Sequence, residues 1–138
     1  MKIEKLDHVH INVEDIEKAV KFFEDTLGVK AEFIRTMEEN GIKEALIPPG
    51  LILLQGLTPD SWVAKDVRKR GEGLSGVSLK VSNIDEGIAE LQSKGMRLIG
   101  RYKYGEVQEA LFHPKDSHGV LIELGEYPGD DPVASSSM

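Results

Sequence analysis

The sequence predicts an α+β fold of two βαβββ modules, whose eight strands form a cup. Three observations carry this. His8-Val9-His10-Ile11-Asn12-Val13-Glu14-Asp15-Ile16-Glu17 and Gly76-Val77-Ser78-Leu79-Lys80-Val81-Ser82-Asn83-Ile84-Asp85 both alternate apolar and other residues, then reach an Asx residue followed by helical spacing. Lys43-Glu44-Ala45-Leu46-Ile47-Pro48 is echoed by Gln108-Glu109-Ala110-Leu111-Phe112-His113-Pro114. A glycine-led apolar run follows each, Leu51 to Leu54 and Val120 to Leu124. A duplicated unit of this size means paired modules around a shared interior, where a site forms.

Residues 5–13 alternate strictly, with Val9, Ile11 and Val13 on one face and His8, His10 and Asn12 on the other, which predicts a strand. Asp15 is the expected N-cap of a helix whose apolar face is Ile16, Ala19, Val20, Phe23 and Leu27, stopping at Gly28. Strands are expected near 30–37, 42–48 and 50–55, with turns at Asn40-Gly41 and Pro48-Pro49-Gly50. The second copy predicts a strand near 74–81. A helix follows, capped by Asn83 with Glu86 three residues on, presenting Ile84, Ile88 and Leu91 and stopping at Gly95. Strands near 97–102, 106–113 and 119–125 complete it. Module one therefore spans 5–57 and module two 73–125. Between them lies a linker, 58–72, with a short helix over Asp60 to Arg70 that ends at Gly71 and is anchored by Trp62. The tail, 126–138, has no periodicity and is expected to fray from about Glu126.

The chain has 138 residues, enough for one domain with a real core. Its 24 acidic and 17 basic residues give a net charge of −7, which argues against a nucleic-acid partner. Cysteine is absent, which excludes disulfides and thiol chemistry. No segment approaches membrane-spanning length and Met1 to Asp7 lacks a signal-peptide core, so the cytoplasm is the expected compartment.

The βαβββ order twice over, with Leu6-Asp7-His8-Val9 at the start and Gly119-Val120-Leu121-Ile122-Glu123-Leu124 at the end, resembles the vicinal-oxygen-chelate superfamily. That is the glyoxalase, bleomycin-resistance and extradiol-dioxygenase group. The linker from Pro59-Asp60-Ser61-Trp62-Val63-Ala64-Lys65 to Lys69-Arg70-Gly71-Glu72-Gly73-Leu74, and Phe112-His113-Pro114-Lys115, are similar to the methylmalonyl-CoA epimerases within it. The resemblance covers residues 5–125 and implies a glyoxalase-like fold, a homodimer and a divalent metal ion of open identity.

In the epimerases it implies four metal ligands, His, Gln, His and Glu. Carried over singly, His8 takes the first position and Glu123 the last. The second falls on Ile52, which cannot bind a metal, and a shift of two brings Leu54. The third falls on Gly76. His10 lies one pleat from His8, roughly 6–7 Å between Cα atoms on ideal strand geometry, and is the candidate extra ligand. Ser78 is a weaker one. A plainer reading makes His8 and His10 polar residues lining a wet pocket. If the ion is held, Ile52→Gln with Gly76→His should complete the shell, provided the strand tolerates a side chain at Gly76.

Epimerisation next to a thioester carbonyl needs a base on each face of the carbon and an offset for the charge that forms. The resemblance implies Glu44 and Glu123 as that catalytic pair. Lys43 and Lys80 are the nearby cations that an ion-free site would draw on. Glu44 also reads simply as an exposed strand residue, as its counterpart Glu109 does. Glu123 interrupts an apolar run, and an unpaired buried carboxylate is expensive. His113 and His118 flank Pro114-Lys115-Asp116-Ser117 and read as a turn. Two functions follow. One is an isomerase or lyase acting on a carbonyl compound or acyl-thioester; the other is a metal-free protein that sequesters a small molecule.

Overall fold

The structure is a computed structural model that describes residues 1–132. Its elements run β1 (Ile3–Asn12), α1 (Ile16–Leu27), β2 (Phe33–Met37), β3 (Ile42–Ile47), β4 (Leu51–Gly56), α2 (Trp62–Arg70), β5 (Gly73–Val81), α3 (Ile84–Ser93), β6 (Leu98–Tyr104), β7 (Val107–Phe112) and β8 (Leu121–Glu126). This is βαβββ twice with a helix between, and the strand order is β2-β3-β4-β1-β5-β8-β7-β6. The chain divides into two compact units, His8–Ser75 and Met1–Asp7 with Gly76 onward. β1 and β5 each contribute residues to both.

In the His8–Ser75 unit, α1 starts where the alternation of β1 stops. The Asp15 carboxylate accepts from the N–H groups of Glu17 and Lys18 at 3.1 and 3.2 Å. Gly28 ends the helix at φ 71°, a left-handed conformation that suits glycine. Ile16 and Val20 pack with Val13, Ala45, Ile47 and Leu53. Leu27, expected on that face, is instead 52% exposed. The Ile16 N–H donates to Gln55 Oε1 at 2.7 Å, which ties the first turn of α1 to β4.

The register decides what lies on the other face of these strands. Across β2-β3-β4-β1, Arg35 pairs with Glu44, Glu44 with Leu54, and Leu54 with Asn12, while Ile52 pairs with His10. Paired residues share a face and residues two apart on a strand share it too. His8, His10, Asn12, Ile52, Leu54, Glu44 and Arg35 therefore all lie on the face turned away from α1.

The other unit is built the same way. Asn83 Oδ1 accepts from the Glu86 N–H at 3.1 Å, the cap expected from the sequence. The Ile84 N–H donates to Glu126 Oε1 at 2.8 Å, the repeat-related counterpart of Ile16 and Gln55. α3 covers Val81, Ala110, Phe112 and Leu124. Gly76, Ser78 and Lys80 pair with Leu121, Glu123 and Gly125, and Glu123 pairs in turn with Leu111. These residues lie on the face turned away from α3.

Two sequence expectations need correction. Trp62 is only half-buried, and α2 is anchored by Val63, which is fully buried. The reason is the Ser61 cap, which accepts from the Val63 N–H at 3.2 Å and turns that residue inward. Fraying does not begin at Glu126: that residue ends β8, Tyr127 is buried, and Lys5 Nζ donates to the Asp130 carbonyl at 3.3 Å. The serine run Ser135 to Ser137 lies outside the described residues. Among the described residues, no helix is long and apolar enough to cross a membrane.

Candidate active site

His8 and His10 occupy adjacent same-face positions of β1. His8 is half-buried and His10 is 4% exposed. Alternation alone left this face open to water, yet His10 and the fully buried Asn12 show that it is covered. The Nε2 atoms of the two rings are 3.0 Å apart, and the ring planes are tilted by 58°. Two such nitrogens cannot both carry a proton there. Either one N–H donates to the other's lone pair, or both lone pairs serve one cation. Nitrogens bound about 2.1 Å from a common ion can adopt this spacing. The donor chemistry of this pair thus fits a divalent ion.

Asn12 completes the stripe and is held at both ends of its amide. Its Nδ2 donates to Asp66 Oδ2 at 2.8 Å, and its Oδ1 accepts from Ser75 Oγ at 3.1 Å. Arg70 closes on Asp66 with contacts of 2.7 and 3.1 Å. The linker helix α2 thereby grips the end of β1, a role that nothing in local sequence signals.

Glu44 lies two strands from Asn12 in the same row, and its side chain is 14% exposed. Arg35 Nε donates to its Oε1 at 2.7 Å, and the Arg35 guanidinium sits 4.2 Å from the centre of the Phe33 ring. Arg35 was missed in the sequence reading. Its partnership with Glu44 is set by the β2–β3 register, which no local signal in the sequence announces. Ile52 and Leu54, 7% and 3% exposed, fill the face beside His10 and Asn12 with aliphatic carbon. Lys43 does not join them: it points to the helix side, where its Nζ meets Glu17 Oε1 at 2.6 Å.

In the other unit, Glu123 is 5% exposed and shares its face with Ser78 and Leu111. Glu109 lies on the same face, in the row of Tyr102 and Gly125. Gly76 has no room for a histidine, because a Cβ there would meet the Leu121 carbonyl oxygen at 2.5 Å. Restoring a ligand at this position, as the sequence suggested, is therefore sterically closed. Lys80 is also committed. Its ammonium lies 3.4 Å from Glu4, donates to the Gly129 carbonyl and sits 4.3 Å from the centre of the Tyr127 ring. Tyr127 in turn donates to Asp7, and burial first, then that hydrogen bond, push its phenol well above the usual range. A cavity of about 790 Å³ opens at this end of the unit, lined by Glu4, Lys5, Lys80, Tyr127 and Asp130 among others.

His113 and His118 form a turn, as expected. His113 Nδ1 accepts from the Lys115 N–H at 3.1 Å, and His118 takes a left-handed φ of 59°. Arg97 closes the turn through two side-chain contacts of 3.0 Å to Asp116.

Residues 7–125 match the Glyoxalase/Bleomycin resistance protein/Dioxygenase superfamily. An uncharacterized protein of Bacillus subtilis is 32% identical over 91% of this chain and 94% of its own length. The mitochondrial methylmalonyl-CoA epimerase of Mus musculus is 32% identical over 89% of this chain and 73% of its own. A Streptomyces coelicolor methylmalonyl-CoA epimerase, solved as a substituted form in complex with 2-nitronate-propionyl-CoA, superposes with a TM-score of 0.83 at 28% identity. That superposition covers 93% of this chain and 100% of the other. The eight strands and the repeated βαβββ order are those of these relatives, and the chain belongs to the glyoxalase, bleomycin-resistance and dioxygenase superfamily.

Proposed function

We propose that this protein is an epimerase-like isomerase or lyase that transfers a proton on the carbon next to a carbonyl, with an acyl-CoA thioester as its ligand. The observation that carries it is that Glu44 and Glu123 each lie on the helix-free face of their own unit, largely shielded from water. The relatives add the substrate class, since one of them was captured with an acyl-CoA analogue.

The chemistry follows from the groups. A thioester α-proton is weakly acidic, so its removal takes a carboxylate in hydrogen-bond reach and an offset for the charge that develops on the carbonyl oxygen. Glu44 takes the proton from one face of the carbon and Glu123 delivers one to the other. His8, His10 and Glu123 would hold a divalent cation, with Ser78 as a weaker neighbour. When bound, the cation polarises the carbonyl and offsets that charge. Lys43 and Lys80 do not take this part, since Glu17 holds one and Glu4 with Gly129 the other. Ile52 and Leu54 keep water from the α-carbon.

The test is α-proton exchange into methylmalonyl-CoA and simpler acyl-CoA thioesters in D2O, followed by proton NMR. Inversion lost in both Glu44→Gln and Glu123→Gln, with each variant still exchanging only the epimer that its remaining carboxylate deprotonates, supports the reading, and no exchange on any thioester ends it. A second reading is favoured by Ile52 and Gly76, which stand at two ligand positions of the epimerases. It is metal-free sequestration of a small carbonyl compound, with the His8–His10 contact a simple N–H···N bond. Calorimetry that finds ligand binding without metal or turnover would select it. A cytoplasmic homodimer remains part of the proposal. Ile34 on edge strand β2 and Ile99 on edge strand β6, 45% and 48% exposed, are surfaces that self-association would cover.

A further inference from the structure

Glu44 is not a freely turning carboxylate. Arg35 faces it directly across the β2–β3 ladder, with Nε donating to Oε1 at 2.7 Å. The side chains of Arg35 and Glu44 are 25% and 14% exposed. Phe33, two residues before Arg35 on the same face, lies under the guanidinium at 4.2 Å. A planar guanidinium resting on an aromatic face has its donor direction fixed before it meets the carboxylate. The last torsion of a glutamate is broad and roughly two-fold, so without such a donor its oxygens exchange places easily.

We propose that Arg35 is a positioning residue for Glu44, and that Phe33 and Arg35 together set the direction in which that carboxylate takes and returns a proton. This rests on the reading of Glu44 as one of the two acid–base groups. Proton removal from carbon is sensitive to alignment, and a displacement of about 1 Å can cost on the order of a hundredfold in rate. Arg35 acts through Glu44 and not on the ligand, so its loss should appear in kcat and leave KM nearly unchanged.

The experiment has two arms. In the first, the Arg35 Nε–H signal is followed by 15N NMR in wild type and in Glu44→Gln. A slowly exchanging signal that shifts in Glu44→Gln supports the clamp; a rapidly exchanging, unaffected one overturns it, whatever the activity. In the second, inversion and solvent-deuterium exchange are measured separately from each epimer of methylmalonyl-CoA. Arg35→Met should slow inversion by about ten- to a hundredfold with KM within about twofold. From the epimer deprotonated by Glu123, exchange without inversion should persist, so the ratio of exchange to inversion rises. Arg35→Lys should recover part of the rate. If Arg35→Met does not fold, Phe33→Leu, which removes the prop alone, should move the same ratio in the same direction. An unchanged ratio in a folded variant overturns the proposal. A wild type that shows the clamped N–H but no exchange on any thioester sinks the epimerase reading and leaves the clamp standing.

Discussion

A Cβ on Gly76 would lie 2.5 Å from the carbonyl oxygen of Leu121, its partner across the β5–β8 ladder. The obstacle is backbone, which cannot step aside as a side-chain tip can. This contact means that Gly76, where the resemblance leads one to expect a ligand, is closed to any side chain unless the backbone moves. The repertoire for any cation must come from other residues, and β1 supplies two of them, His8 and His10.

The contact has a direct consequence for stability. Gly76→Ala should destabilise the protein by about 1–3 kcal/mol, the usual cost of forcing extra atoms into a filled site. Gly76→His should do so without gaining metal affinity. Urea denaturation checks the first and equilibrium dialysis the second. A Gly76→Ala variant as stable as wild type would show that β5 and β8 can part at this point.

Asn12 is the hub of a buried network, and its removal should be felt. Asn12→Ala leaves Ser75 and one oxygen of Asp66 without their amide partner, a loss of about 1–3 kcal/mol. Asn12→Asp should be worse near neutral pH, because a second carboxylate then faces Asp66 across a contact of 2.8 Å. Acidification should recover part of that loss, as a protonated carboxyl can donate where the amide did. Thermal unfolding of both variants across the acid range decides this. An Asn12→Asp protein whose stability relative to wild type does not improve on acidification would contradict the assigned network.

The helix ends were legible because their signals are local. Asp15 with Gly28, and Asn83 with Glu86, carry their instructions within a few residues, and the structure follows them. Burial of the second face of β1 was not legible. Alternation separates two faces but does not say whether the polar one meets water, and His10 and Asn12 needed the fold to reveal their cover. Arg35 was hidden for a related reason: its partner is set by cross-strand register, which sequence periodicity does not encode. Ile52 and Gly76 were readable only as departures from a family pattern. That Gly76 is closed by Leu121 depends on the approach of two strands far apart in the chain.

The Arg97–Asp116 pair should give the turn after β7 a defined acid sensitivity. The Arg97 side-chain hydrogen bond is the largest cause holding the Asp116 carboxyl below its ordinary value of 3.8. A carboxyl depressed in the folded state contributes stability that is fully present above its unfolded value and is lost as pH falls through the folded one. Asp116→Asn should therefore be less stable than wild type above about pH 4, and the gap should narrow as pH falls further. Denaturation midpoints of the two proteins across that range test the sign. A gap that widens on acidification would mean that Arg97 does not pair with Asp116 in solution.

The two imidazoles of β1 give the sharpest distinction between an ion site and a plain hydrogen bond. If their Nε2 atoms share a cation, purified protein should bind one equivalent of cobalt, nickel, manganese or zinc. His8→Ala and His10→Ala should each weaken that binding by at least about tenfold, since each removes a nitrogen ligand. Affinity should fall as pH drops, because the ligating nitrogens must be unprotonated. Ile52→Gln should strengthen binding, since Ile52 pairs with His10 across β1 and β4 and a longer polar side chain there brings an oxygen to the same face. If the 3.0 Å contact is instead a shared proton, wild type takes up none of these ions and Ile52→Gln only destabilises a buried position. His10→Ala would then lower stability with no change in metal content. Tight binding that survives His10→Ala would assign the ion to other residues and leave His10 a lining residue.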